Sequence, residues 1–521
     1  MKQILTNGFY GPLITAADAI RYNGIESGGI WDEAENHRYE IVPVSGTLKN
    51  FYVYLTSAPG AAGSGKSYTF TVMKEGVATG LTVTISETAT SGSIELDVAF
   101  VAGNTISIKC VTSHTVPTAS YAKFTSLFET SDNSSMILGC TGSTFLHTTN
   151  TRYCLINSQY STNYTTESCV AIPVPYSGTI SNFYVETSAS PGDATKWYGI
   201  TLMKSGSPST VSVVIQNAST TSYDIAHSIS VSAGDTLSIR CSPTGTPTAV
   251  HAAWGFVFNS DKEDTSIICG GTYDTMYITN TTPMYHYINM GYDAGAESNT
   301  EVQKINYLQN CRLSDLRLKI ITAPGVGKSY TFNVRKNAAD TGLFHTIQDS
   351  ETTGYNTKNN VSFSLGDYTT LQMVANGTPT ASSPYWSCLC RYEEVPDGPY
   401  FTVSTDEDYG YIPMINSLSF GDSKDIQFFN FRTNLDETPI FSNIDVGKDT
   451  ENISITGDIF YEDKDKLDWL LDASYKGKDI TLSGFDNDEI DDTWTIESFN
   501  YSGSFSTPSM YIWSMQLEKT Y

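Results

Sequence analysis

The stretch SGTLKNFYVYLTSAPG, residues 45–60, decides the fold because the chain contains it in three versions. It returns as SGTISNFYVETSASPG at residues 177–192 and, more diverged, as NCRLSDLRLKIITAPG at residues 310–325. Each copy leads into a second related stretch: KSYTFTVMK from Lys66, KWYGITLMK from Lys196 and KSYTFNVRK from Lys328. Self-similarity at a fixed period of about 130 residues predicts one module repeated three times in tandem.

Within each copy, apolar and polar residues alternate as they do in β-strands with one buried face. FYVYL, YTFTV and ISIKC in the first copy are rich in β-branched and aromatic residues, and turn residues separate them. We therefore expect a mostly β chain with three tandem β-sandwich repeats at residues 1–132, 133–262 and 263–394. A jelly-roll-like sandwich is favoured over an immunoglobulin-like one, because immunoglobulin domains have about 100 residues. A rod and a compact cluster of sandwiches both remain open.

The remainder, residues 395–521, is predicted to be a smaller domain of another kind. It begins within a Pro/Gly/acid-rich linker, and residues 397–521 carry 25 Asp and Glu against 8 Lys and Arg, a net charge of −17. Residues 463–475 predict an amphipathic helix, because Leu467, Leu470 and Leu471 share one face and acidic residues occupy the first turn. Strand patterns on both sides of this helix predict an acidic α+β domain.

Charge and composition exclude several classes of partner. The 521 residues include 30 Lys and Arg against 56 Asp and Glu, a net charge of −26, so neither nucleic acid nor a membrane is expected as a partner. No stretch approaches 18 consecutive apolar residues and the first residues lack a signal-peptide pattern, which predicts a soluble chain made in the cytosol. The nine cysteines lack zinc spacing and are expected to be buried, reduced thiols, with disulfides open only outside the cell.

Gly60, Gly65, Lys66 and Ser67 match the Walker A pattern of nucleotide-binding loops. A phosphate-binding loop requires a helix after its Lys-Ser pair, because the helix N-terminus and successive N–H groups hold the phosphate. Here the pair leads into YTFTV, which has a strand pattern, and the second copy lacks the motif. We therefore interpret the match as a hairpin turn and expect no nucleotide cofactor.

A second candidate site is an acidic stretch that resembles a calcium loop. Asp486, Asp488 and Asp491, with Glu497 eleven residues after the first, supply the carboxylates that a hard cation prefers. However, Ile490 occupies a ligand position, and Asp491 stands where the loop needs glycine for its sharp turn. A solvated acidic hairpin is the favoured interpretation, and calcium is the alternative.

No catalytic motif stands out. The seven histidines show neither HExxH nor HxxxH spacing, and no serine lies in a GxSxG elbow. Paired carboxylates for glycoside cleavage need only meet in space, so sequence does not locate them. The chain is therefore expected to be non-enzymatic, with no cofactor apart from a possible calcium ion.

One family resemblance can be read from the last hundred residues. The run ENISITGDI at residues 451–459, the helix at 467–475, the strand GKDITL at 477–482, WTIES at 494–498 and WSMQLE at 513–518 follow in this order. This arrangement, over about residues 418–519, resembles the phage tail protein U family and related baseplate ring proteins. The resemblance implies attachment to a virion and assembly into a symmetric ring of copies. Members of that family are small, whereas some 395 residues of sandwich repeats precede the domain here.

These observations predict a structural virion protein of a tailed virus, assembled in the host cytoplasm. The C-terminal domain would dock with other virion proteins of the tail or baseplate, and the sandwiches would act as adhesion or decoration modules for a host-surface glycan or protein. A head fibre or capsid decoration protein is the first alternative. A microbial surface carbohydrate-binding protein or glycan hydrolase is the second.

Overall fold

The computed structural model describes residues 1–393 apart from 9–11, 27, 158–163, 273–282 and 294–299. In the remainder it describes seven strands. The chain divides into two compact units, Met1–Glu393 and Glu394–Tyr521. The described residues form many strands, most of them in antiparallel sheets, and no α-helix, so the expected mostly β fold class is confirmed.

The first sandwich spans residues 2–129. Its strands are β1 Lys2–Gly8, β2 Ile20–Asn23, β3 Glu40–Ile41, β4 Gly46–Leu55, β5 Ser67–Lys74, β6 Val77–Ser86, β7 Ser91–Ile94, β8 Val98–Phe100, β9 Thr105–Thr112 and β10 Ala122–Glu129. One sheet has the order β1-β10-β4-β7, with β8 also paired to β4. The other has the order β2-β9-β5-β6, with β3 also paired to β9. We call these the ring sheet and the outer sheet.

The second sandwich spans residues 135–260 and repeats this pairing. Its strands are β11 Ser135–Cys140, β12 Arg152–Cys154, β13 Ile172–Pro173, β14 Gly178–Thr187, β15 Trp197–Lys204, β16 Ser207–Gln216, β17 Thr221–Asp224, β18 Ile229–Val231, β19 Thr236–Thr244 and β20 Ala252–Ser260. The ring sheet has the order β11-β20-β14-β17 with β18 on β14, and the outer sheet has the order β12-β19-β15-β16 with β13 on β19.

The third sandwich spans residues 265–392. Its strands are β21 Thr265–Thr272, β22 Met284–His286, β23 Met290–Asp293, β24 Asn306–Tyr307, β25 Cys311–Ile320, β26 Gly325–Lys336, β27 Ala339–Asp349, β28 Thr353–Phe363, β29 Tyr368–Asn376 and β30 Pro384–Tyr392. The ring sheet has the order β23-β21-β30-β25-β28, in which β23 runs parallel to β21. The outer sheet has the order β22-β29-β26-β27, with β24 on β29.

Alternation of apolar and polar residues places one face of each outer sheet in the core. In β5, Tyr68, Phe70 and Val72 are fully buried, while Thr69 on the other face hydrogen-bonds to Thr84 of β6. An equivalent tyrosine in each sandwich also ties the core to the turn before the last strand. These hydroxyls donate to backbone carbonyls at 2.8–3.0 Å: Tyr68 to Thr118, Tyr198 to Thr248 and Tyr330 to Thr380.

The three sandwiches of the first unit close into a ring. A short 3₁₀ turn precedes β3, β13 and β24 in the three sandwiches: Glu35–His37, Glu167–Val170 and Glu301–Gln303. We call each turn with the strand that follows a linking segment. The first linking segment packs on β11, β14 and β20, the second on β21, β25 and β30, and the third on β1 and β10. Each sandwich thus contacts both others in a cyclic order, which is a compact cluster and not a rod.

Each hydrophobic core is completed by the next sandwich in this cycle. Met136 and Leu138 of β11 lie in the core cluster of the first sandwich, and Ile267 and Leu389 lie in that of the second. Ile4 of β1 and Leu127 of β10 lie in the core of the third. Burying one such side chain contributes about 1.5–3 kcal/mol. The ring-sheet strands that pack on a neighbouring sandwich are therefore buried on both faces, which explains why every residue of β11 and β21 is buried.

Eight of the nine cysteines are buried, and Cys169 is partly buried. Two pairs of thiols lie within hydrogen-bonding reach: Cys154 with Cys241, and Cys311 with Cys390. The hydrogen bond between Cys154 and Cys241, and next burial, raise the pKa of Cys154, so this thiol stays protonated at neutral pH.

The second unit contains one seven-stranded antiparallel sheet. Its strands are β31 Tyr400–Ser404, β32 Tyr409–Ile412, β33 Ile415–Phe420, β34 Asn452–Phe460, β35 Asp479–Ser483, β36 Thr493–Gly503 and β37 Met510–Lys519, in the order β32-β31-β35-β36-β37-β34-β33. Four of them coincide with the strand patterns that carry the family resemblance. The helix expected at residues 463–475 lies outside the described residues, so the α+β assignment stays a prediction.

Candidate functional site

The Walker A match lies on the loop between β4 and β5. The strand β5 begins at Ser67, so a strand follows the Lys-Ser pair where a phosphate loop would need a helix. The loop amides are bonded within the protein: Gly60 N–H donates to the Glu87 carbonyl at 2.9 Å, and Ser67 N–H to Ser113 Oγ at 2.8 Å. The side chain of Glu87 also accepts from Gly65 N–H at 3.4 Å, which places a carboxylate beside the loop amides.

The calcium candidate is not described at the level of its ligands. Asp486, Asp488 and Asp491 lie outside the described residues, and Glu497 lies in β36, of which only the backbone is described. Calcium binding there therefore stays a prediction. Among the described residues, no group of three or more His, Cys, Asp or Glu side chains is arranged to hold a metal ion.

Three polar side chains instead meet at the junction of the three sandwiches. Glu26, Asn157 and Asn289 each stand three residues after the end of β2, β12 and β22, and each is 2–4% exposed. We call them the axial residues. Such deep burial of polar side chains is costly unless each is hydrogen-bonded.

Each axial residue bonds to the backbone of the first strand of the next sandwich. The Leu138 N–H of β11 donates to the Glu26 carboxylate, and Asn157 Nδ2 donates to the Cys269 carbonyl of β21 at 2.7 Å. Asn289 Nδ2 closes the cycle by donating to the Thr6 carbonyl of β1 at 2.9 Å. The axial residues therefore join all three sandwiches through one side chain-to-backbone contact at each junction, in which Glu26 accepts and the two asparagines donate.

Glu26 differs from the other two because it can ionise. The side chains of Gln3 and Asn289 donate to it, the former to Oε1 at 3.5 Å, while Oε2 has no hydrogen-bond partner among the described residues. Burial, and next the nearby charge of Glu40, raise the pKa of Glu26 well above its ordinary value. Glu40 is itself fully buried, and its Oε2 accepts from Ile25 N–H at 2.8 Å and Glu26 N–H at 3.1 Å.

Gln3 fastens the first strand to the second sandwich. Its Nε2 donates to the Met136 carbonyl at 2.8 Å, and its Oε1 accepts from Met136 N–H at 2.6 Å. A side-chain amide that makes both bonds acts as one rung of a β-ladder. β1 and β11 are therefore held together directly beside Glu26.

The contact between the first and second sandwiches holds a second polar cluster. Arg38 of the first linking segment, 1% exposed, donates from Nη2 to Ser143 Oγ and lies 3.5 Å from Asp32 Oδ2. Ser143 also donates to Asp32 at 3.1 Å, and His37 Nδ1 lies 3.2 Å from Asp32 Oδ1. Burial opposes ionisation of Asp32, but the Ala34 N–H and the Arg38 charge overcome it and lower the pKa.

Sequence reasoning missed both clusters, although one signal was available. The axial residues follow isoleucine in every copy, as Ile25-Glu26, Ile156-Asn157 and Ile288-Asn289. Aligning the three copies at this point would have shown a polar residue directly after an isoleucine in each. The cluster around Arg38 offers no such signal, because it forms at one junction only and Ser143 lies more than a hundred positions after Asp32, His37 and Arg38.

Comparison with known proteins adds no relative of known function. No family model matches the chain, and no curated protein matches it. The chain aligns with solved structures of PNGF-II in space groups P21 and C2. The first alignment has 8% identity and a TM-score of 0.18, covering 63% of this chain and 100% of that chain. The second has 8% identity and a TM-score of 0.17, covering 64% and 99%. TM-scores this low carry no argument about fold or function.

Within the residues that the structure describes, no helix is long and apolar enough to cross a lipid bilayer.

Proposed function

We propose that the chain is a structural protein of a tailed virus, in which the three sandwiches form a rigid body for display or adhesion. The observation that carries this proposal is the closed ring, in which each core contains side chains of the next sandwich. A body of this kind cannot lose one sandwich without exposing apolar surface of another. It suits a particle component that must keep its shape outside the cell.

Each sandwich is proposed to be a jelly roll. If β2 with β3 and β7 with β8 each count as one strand, the sheet orders are 1-8-3-6 and 2-7-4-5, and the other two sandwiches follow the same scheme. This interleaving of early and late strands is that of two Greek keys wound together, which is typical of capsid and lectin domains. The strand order thus supports a role in recognition or assembly.

The C-terminal unit, residues 394–521, is proposed to attach the chain to the tail or baseplate. Its sequence pattern resembles proteins that form rings on phage tails, and β34 to β37 supply the strands of that pattern. In a ring of copies, every sandwich would be presented several times, so weak contacts with a host-surface glycan or protein would add up through avidity.

Immunogold labelling of purified particles tests this function. Antibodies raised against residues 1–393 should label the tail or baseplate. In negative-stain images, several copies of the purified full chain should assemble into a ring. Label on the head would support the head-fibre or capsid-decoration alternative. Absence of the chain from washed particles would contradict a virion role.

A further inference from the structure

The axial residues show an asymmetry that the ring itself does not require. Two sandwiches place asparagine at the junction, whereas the first places Glu26 at the equivalent position. Asparagine is neutral at every pH and offers both a donor and an acceptor. A protonated glutamic acid offers the same combination, but an ionised one only accepts and carries a charge. Glu26 therefore matches its two counterparts in charge only while it holds a proton, although it accepts from the Leu138 N–H where the two asparagines donate to carbonyls.

Burial and the charge of Glu40, in β3, favour the protonated form of Glu26 and outweigh the groups that act in the opposite direction. Those groups are three neutral hydrogen-bond donors: the Leu138 N–H in β11, the Asn289 side chain and the Gln3 side chain in β1. The charge of an ionised Glu26 would also act on the buried thiol of Cys269 in β21. None of the described groups that shift its ionisation is a cation. An ionised Glu26 would place a poorly compensated charge where three cores meet.

We propose that the junction is a proton-linked lock: the closed ring of three sandwiches holds one proton on Glu26, and its loss at higher pH loosens the ring. The loosening starts at the contacts of Glu26 with β1 and β11, because Gln3 and Leu138 bond to the same carboxyl group. It passes to the third sandwich through Asn289, which contacts both Glu26 and the Thr6 carbonyl.

The sign of the effect follows from linkage. The pKa of Glu26 is raised on folding from an ordinary value near 4.5, so the folded state binds this proton more tightly than the unfolded state does. Its stabilisation is complete below about pH 4.5 and is lost as the pH rises through the folded-state pKa. Within that window, each pH unit should raise the unfolding constant of the wild type about tenfold relative to a variant without this carboxyl group.

The test is urea unfolding of the full chain from about pH 5 to about pH 9 for the wild type, Glu26→Gln and Glu26→Asn. In both variants, the unfolding constant should lose the tenfold rise per pH unit that Glu26 causes in the wild type. Glu26→Asn also gives the first sandwich the same axial residue as the other two. Glu263→Gln, at an exposed position, is the matched control and should behave as the wild type. Equal pH dependence in wild type and Glu26→Gln would overturn the proposal.

Two further measurements keep the proposal testable if those variants fold poorly. Infrared difference spectra of the wild type should contain the band of a protonated carboxyl group, with Glu26→Gln or Glu26→Asn removing it. In the wild type, the rate of amide hydrogen exchange in β1 and β11 should rise with pH more steeply than the intrinsic rate of unprotected amides. The edge strand β6 is the internal control, and its exchange should rise only as steeply as the intrinsic rate. Wild-type and Glu26→Gln spectra with the same protonated-carboxyl band would overturn the proposal independently.

Discussion

The imidazole ring of His251, immediately before the second sandwich's β20, forms a tilted stack with that of His37 in the first linking segment, with 3.8 Å between ring centroids and 36° between ring planes. The ring of Phe145 also packs against His251, with 4.2 Å between the two centroids. Burial, and next the proximity of His37, lower the pKa of His251, whereas hydrogen bonds to the Gly142 and Thr144 backbone and the charge of Asp32 act in the opposite direction. The stack therefore favours a neutral His251.

Acid should weaken this contact. A pKa lowered on folding means that the stabilisation from neutral His251 is present above its ordinary value of 6.5 and is lost as the pH falls below it towards the folded-state pKa. His251→Phe keeps a ring in the stack without a titratable group, so its melting temperature should fall less than that of the wild type between about pH 7 and about pH 5. His114→Phe is a control of opposite sign: the hydrogen bond to Asp18 raises the pKa of His114, so this variant should lose more stability than the wild type over the same pH range. Parallel curves for wild type and His251→Phe would contradict the expectation.

Close approach of backbones at the same contact gives a steric prediction. A Cβ atom built on Gly255 in β20 would lie 2.0 Å from the carbonyl oxygen of Ile41 in β3, so the strands must move apart to admit it. Gly255→Ala should destabilise the chain by about 1–3 kcal/mol, the usual cost of overpacking. Gly199→Ala, also in a strand interior but with its nearest atom at 3.7 Å, is the matched control and should cost far less. Chemical denaturation of both variants measures the difference.

The sharing of cores predicts that neighbouring residues act on different sandwiches. Leu138 and Ile137 are adjacent in β11, but Leu138 lies in the core of the first sandwich and Ile137 in that of the second. Leu138→Ala should destabilise by about 2–5 kcal/mol and raise hydrogen exchange in β4, β5 and β9. Ile137→Ala should instead raise exchange in β14, β15 and β19. Identical exchange patterns in the two variants would show that Leu138 and Ile137 do not stabilise different sandwiches.

Strands with one packed and one polar face were the most accessible part of the fold from sequence. FYVYL in the ring sheet, and YTFTV and ISIKC in the outer sheet, have this pattern, and the mostly β class follows from them. The ring-sheet strands β10, β11 and β21 carry less signal, because a strand buried on both faces loses its alternation. AKFTSLFE in β10 even places Lys123 at 0% exposure, where its Nζ donates to the Tyr287 hydroxyl of the third sandwich.

Closure of the ring could not be read from one copy of the repeat. The contacts join residues far apart in the chain, such as Thr6 with Asn289 and Gln3 with Met136. These contacts depend on how the surfaces of three sandwiches fit together. The alternation of apolar and polar residues within one strand carries no information about that fit. The axial position is the exception, since a polar residue directly follows an isoleucine there in all three copies.

Glu26 and His251 together predict a stability maximum between two pH limits. Glu26 loses its stabilising proton as the pH rises, whereas His251 gains a destabilising one as the pH falls, and each group lies at a contact between sandwiches. The double variant Glu26→Gln/His251→Phe should therefore show a flatter curve of melting temperature against pH on both sides. Each single variant should flatten only one side, because the two groups act through different contacts and their effects should add. A double variant that keeps the curvature of the wild type would assign the pH response to other groups.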